Sequence, residues 1–148
     1  MLKVKLICVG RLKEKFYIDA CAEYIKRLGR YCRFELCEVQ ESGNLEKEGA
    51  AVLEKIPAGA FVIAMCIEGR LMDSETLAAE IAGRCTAGCS QIVLLIGGSD
   101  GLSERAKARA QLRLSMSPMT FPHHLARVMV LEQLYRAFTI QEGSKYHK

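Results

Sequence analysis

Two rhythms of apolar and polar residues take turns along this chain. Lys3–Val9 alternates charged and apolar side chains and predicts a strand. Phe16, Ala20, Tyr24 and Leu28 recur at helical spacing and predict a helix over 14–28, with Gly29 placed to stop it. Arg33–Val39 reads as a second strand, Gln40–Asn44 as a polar loop, and Leu45–Ile56 as a short helix ended by Pro57. Phe61–Ile67 is an apolar run of the buried-strand type. Asp73 or Ser74 can cap a helix to about Arg84. Gln91–Ile96 is the strongest strand signal; Ser103 then caps a brief helix to about Ala110, and Leu112–Met116 forms a short strand. Pro122 precedes a helix through about Ile140. Strands alternating with helices imply an α/β protein, a mostly parallel sheet with helices on both faces. With 148 residues, no repeat and no compositional break, one domain over 1–148 is expected.

In such sheets ligands bind at the carboxyl ends of strands. Those ends are Met65–Gly69, Ile96–Gly101 and Met116–Phe121. IGGSDG, from Ile96, is neither GxGxxG nor a phosphate loop. It is either a tight turn or a place where a missing Cβ at Gly97 and Gly98 lets a ligand touch the backbone. MSPMTF at 116–121 is apolar where loops are normally polar. It either packs under the core or receives a flat heterocycle. The last helix carries the stripe Leu125, Val128, Leu131 or Glu132, Tyr135 and Phe138. Val130 and Leu134 fall off that stripe, which implies a second apolar face for a helix–helix dimer contact or a deeply buried helix.

Composition narrows the chemistry. Half the residues are apolar, enough for a core, and no apolar run approaches the ~20 residues of a membrane span. The first segment is too short before its glycine for a secretory signal. Seven cysteines, an odd number, argue against a disulfide framework. Cys32/Cys37 and Cys85/Cys89 have no nearby histidine and no CxxC spacing, so no metal is expected. Reduced thiols in a cytoplasmic protein are the reading. The net charge of +4 is segregated, with basic ends (+6 over 1–33, +5 over 83–148) and an acidic middle (−7 over 34–82). That fits one cationic face for nucleic acid, or simply solvated helix faces. His123 and His124 begin the last helix, where the helix dipole disfavours imidazolium, so His123 is expected to lean neutral. No Ser/His/Asp set, Cys/His set or acidic pair stands out. An enzyme built on this chain works mainly by positioning.

VGRLKEKFY at 9–17, EYIKRLG at 23–29, LLIGGSDGL at 94–102, MTFPHHLARVMVLEQLYRA at 119–137 and the terminal YHK, taken in order, resemble the RlmH (YbeA-like) methyltransferases of the SPOUT superfamily over essentially the whole chain. The resemblance implies a parallel α/β sheet with a deep C-terminal trefoil knot, an exception to the usual unknotted topology. It also implies a homodimer and S-adenosylmethionine as cofactor, with S-adenosylhomocysteine as product. Carried over by position, the cofactor residues are Met65, Gly97, Met116, Ser117, Pro118, Met119, Thr120 and Phe121. The implied reaction is methylation of N3 of a pseudouridine in 23S large-subunit rRNA on the assembled ribosome. His123, Tyr146 and His147 are then expected to line the base pocket. Arg127, with Arg11, Lys13 and Lys15, is expected to hold phosphates. Three rivals stand beside this reading. One is a knotted methyltransferase acting on tRNA, another a ribosome-binding assembly factor without activity. The third is a flavodoxin-like nucleotide binder, which the pattern allows and the motifs do not.

Overall fold

The central strands form because their residues are apolar on both sides, as a sheet covered on both faces requires. β1 (Lys3–Val9), β3 (Phe61–Leu71) and β4 (Gln91–Ile96) supply Leu6, Ile7, Val62, Ile63, Leu94 and Leu95, all buried. The computed structural model describes all 148 residues. With β2 (Arg33–Val39) and β5 (Leu112–Ser115) these strands make one parallel sheet in the order β2-β1-β4-β3-β5. Helices α1 (Lys15–Leu28), α3 (Ser74–Thr86) and α5 (His123–Glu142) cover one face, and α2 (Leu45–Glu54) and α4 (Glu104–Arg109) the other.

Local chemistry sets the helix starts. Asn44, Asp73 and Ser103 each accept a hydrogen bond from the backbone amide three residues on. Glu48, nearly buried, accepts from the amides of Ser42 and Gly43 at 2.8 and 3.0 Å, which satisfies its carboxylate and fixes the loop ahead of α2. α5 runs past the expected Ile140 to Glu142. It ends at Gly143 in the left-handed conformation (φ 77°), with the Ser144 amide bonded back to the Thr139 carbonyl.

Three expectations shift. β3 extends to Leu71 rather than Ile67, because a bulge between Met65 and Arg70 lets the polar stretch 66–71 continue pairing with β5. Gly69 permits this, since a Cβ there would sit 2.7–2.8 Å from the backbone of Arg113 and Leu114. On α1 the buried residues are Cys21 and Leu28, while Phe16, read as part of the stripe, is 65% exposed. On α5 the core face is Val130, Leu131, Leu134, Ala137 and Phe138; Leu125, Val128 and Tyr135 are only partly buried. Val130 and Leu134, read as off the stripe, thus join Leu131 and Phe138 from it in the core. Burial in the sheet-facing layer pushes the Cys8 thiol up to about 12 and that of Cys32 to about 11, so neither is a nucleophile at neutral pH.

A candidate cofactor cleft at the strand ends

The carboxyl ends of β3, β4 and β5 open into one cleft of about 760 Å³, within the range of small-molecule sites. The three strand-end loops singled out in the sequence are its walls. Met65, Gly97, Met116, Ser117, Met119, Thr120 and Phe121 all line it; Pro118 shapes the loop without lining the cleft. Ser115 Oγ donates to the Ser117 carbonyl, and the Met119 amide donates to Ser117 Oγ. The amides of Ser117, Thr120 and Phe121 find no acceptor within the chain. The same loop thus carries both apolar side chains and unpaired backbone amides on residues of the cleft wall.

Of the two readings offered for the glycines, the packing shows the tight turn. A Cβ on Gly97 would collide with the backbone of Gly101, and one on Gly98 with the carboxylate of Glu41. Their missing side chains let the turn close on itself and on Glu41 while both glycines line the cleft. Glu41 Oε2 accepts from both the amide (2.9 Å) and hydroxyl (2.7 Å) of Ser99, and these bonds hold its carboxyl below the usual range. Glu41 therefore pins the glycine turn from beneath. It lies in a loop with no sequence pattern, where a single acid among polar residues carries no signal. Glu68 and Lys107, paired at 2.6 Å, stand in the cleft wall and were equally silent in the sequence.

His123 lines the cleft at the start of α5. Its Nε2 is buried without a hydrogen-bond partner. Burial first, then the charge of His124, depress its pKa; Glu41 pulls the other way, and Arg127 adds a smaller lowering effect. The expected neutral imidazole is there, with desolvation rather than the helix dipole as the main cause.

Arg127 is placed otherwise than expected. Its side chain is 1% exposed, bonded to Glu38 at 2.6 Å and to the Gly10 carbonyl at 3.2 Å. A guanidinium committed inward to a carboxylate and a backbone carbonyl ties α5 to the ends of β1 and β2; it does not present itself to phosphates. Tyr146 and His147 are also apart from His123. The Tyr146 hydroxyl donates to Glu132 at 2.8 Å, and its ring meets Tyr135 edge-on at 4.8 Å. Burial and the Glu132 carboxylate push that hydroxyl far up. His147 Nδ1 lies 3.0 Å from Arg136 Nη1, and its Nε2 3.6 Å from Glu75. Burial works against the Glu132 carboxylate, but bonds from Arg136 and Tyr146 outweigh it and keep the group ionised. From His123 to Glu132 the helix rises roughly 14 Å. Within one chain the tail and the cleft are separate.

A profile of the family described as predicted SPOUT methyltransferases matches residues 2–147. The chain belongs to the SPOUT methyltransferase family. Its SPOUT relatives include the ribosomal RNA large subunit methyltransferases H of Streptococcus thermophilus and Bifidobacterium adolescentis. Each is 48% identical over 159 aligned residues, spanning 99% of this chain and all of the relative. Among solved structures, a probable methylase family protein from Haemophilus influenzae superposes with a TM-score of 0.59 at 17% identity, covering 99% of this chain and 70% of that one. That likeness shows the SPOUT fold alone.

Proposed function

We propose that this chain methylates N3 of a pseudouridine in 23S large-subunit rRNA on the assembled ribosome. In this reading it works in the cytoplasm as a homodimer, with S-adenosylmethionine as donor. The observation that carries the reading is the single cleft made by three methionine- and glycine-marked loops, with the orphaned Nε2 of His123 in its wall. The full-length likeness to large subunit methyltransferases H supplies the substrate class.

The residues fit the donor. Methionine and phenylalanine side chains suit an adenine ring and a thioether-like chain, and open amides of the 116–121 loop suit its polar edges. No phosphate loop is required, because the donor has no phosphate. When bound, it supplies a methyl on a positive sulfur, which a deprotonated ring nitrogen takes by displacement. Met65, Met116 and Phe121 exclude water, and Gly97 with the turn pinned by Glu41 sets the cleft's shape. His123, neutral at physiological pH, can accept a proton at Nε2. Alignment then supplies most of the rate.

The separation of Tyr146 and His147 from His123 supports a homodimer in which the tail of one chain completes the cleft of the other. Ile67 and Leu71 at the end of β3 and Met119 in the loop after β5, 61%, 56% and 72% exposed, supply apolar surface for that contact. The order β4-β3-β5, with the chain leaving β4 and returning beyond β3, supports the C-terminal knot.

The test is methyl transfer to ribosomes from a strain lacking this protein. His147→Ala should reduce transfer at least ten-fold with donor affinity intact. In mixed dimers it should be rescued by a partner chain carrying Gly97→Trp. Parental rates for His147→Ala across pH would contradict the tail's role. No binding of S-adenosylmethionine at millimolar ligand in a calorimetric titration would contradict an enzyme of this type.

A further inference from the structure

The fold leaves Phe16 without a structural task. It stands in the first turn of α1 with 65% of its surface exposed, though its position in the helical pattern would have allowed a core role. A single exposed apolar side chain is ordinary by itself, so what Phe16 means depends on its neighbours. Ahead of it, Arg11 and Lys13 are exposed and make no ion pair, while Lys15 is committed to Asp19 at 2.6 Å. The segment is anchored to the cleft wall ring by ring. Phe16 meets Tyr17 at 4.5 Å, Tyr17 meets His124 edge-on at 6.2 Å, and His124 meets His123 at 4.2 Å. Glu14 faces His124 Nδ1 at 3.6 Å, and Arg127 grips the Gly10 carbonyl at the root of the loop. The exposed ring is therefore three ring contacts away from the cleft-lining His123, on a segment that also carries two uncommitted cations.

We propose that Phe16 is a stacking platform for an unpaired base flanking the target nucleoside, with Arg11 and Lys13 on the adjoining phosphates. This rests on the rRNA reading above. An enzyme that acts on N3 must draw its base out of the stack, and the neighbouring base then loses a stacking face. An aromatic ring replaces that face without regard to sequence, and cations beside it meet the backbone. A bare apolar patch for a second copy of this chain would gain nothing from two unpaired cations repeated across the contact.

The test uses Phe16→Ala and Phe16→Trp in the full chain, with unmodified ribosomes as substrate. Phe16→Ala should raise the KM for ribosomes about ten-fold or more, with donor affinity and sedimentation coefficient unchanged. Phe16→Trp should restore the parental KM, and Arg11→Gln with Lys13→Gln should weaken binding at low salt and make it less steeply dependent on salt than in the parent. An unchanged KM in Phe16→Ala would overturn the proposal, as would a shift from dimer to monomer, which would assign the ring to a contact between copies. If the parent chain itself transfers no methyl to ribosomes, the rRNA reading fails and this inference with it. That outcome is distinct from a parent that works and an alanine variant that works equally well.

Discussion

His123 carries the most specific expectation at the scale of single residues. Its folded pKa lies below the ordinary value, so the unfolded chain binds more protons in the window beneath about 6.5. Stability linked to this group is present above that window and declines as pH falls through it. An NMR titration of the His123 ring should show a midpoint below that of a histidine in unfolded peptide; a midpoint at or above it would remove the neutral imidazole from the account. Glu41 makes a second claim. Glu41→Ala removes the one carboxylate oxygen that accepts both Ser99 bonds, and the glycine turn then loses its support. Donor affinity should weaken roughly ten-fold, read by calorimetry, while the melting temperature barely moves. Arg127 makes a third. Because its guanidinium is buried, Glu38→Ala strands a charge and should cost about 3 kcal/mol in urea unfolding. A cost near zero would mean that the pair is not formed.

At the scale of elements, periodicity recovered what local physics controls. β1, β2 and β4 have the expected bounds, because apolar runs with polar ends leave little freedom. The caps Asp73 and Ser103 are side-chain chemistry visible in the sequence. What failed was set by tertiary contact. The extra length of β3 exists only through β5, across a bulge that no periodicity marks. The faces of α5 were misassigned because nearly every position is apolar or long enough to lie on apolar surface, so the sequence holds no strong stripe. Phe16 was misread because spacing cannot tell a core ring from one left on the surface. Gly69 tests the bulge directly: Gly69→Ala places a Cβ against the backbone of β5, which cannot move aside as a side chain can. It should destabilise the chain by about 2–3 kcal/mol in denaturant unfolding and weaken donor binding as well.

For the whole molecule, the cleft loops were legible because their character is wrong for ordinary loops: apolar, glycine-marked and placed at strand ends. Carboxylate contacts that cross long stretches of sequence, the ion pair of Glu38 with Arg127 and the hydrogen bonds of Glu41 with Ser99, were not legible, since nothing local distinguishes an acid that supports a site from one that faces water. The tail's separation from the cleft was also beyond the sequence, because it depends on where α5 carries its two ends. These features converge on a SPOUT methyltransferase whose cleft is built within one chain and whose tail lies apart from that cleft. The most direct measurement is nucleoside mass spectrometry of ribosomal RNA from a strain lacking this protein, with and without its gene restored. The account predicts that 3-methylpseudouridine is absent without the gene and returns with it. Its presence in the deletion strain, or its failure to return, would contradict the central claim.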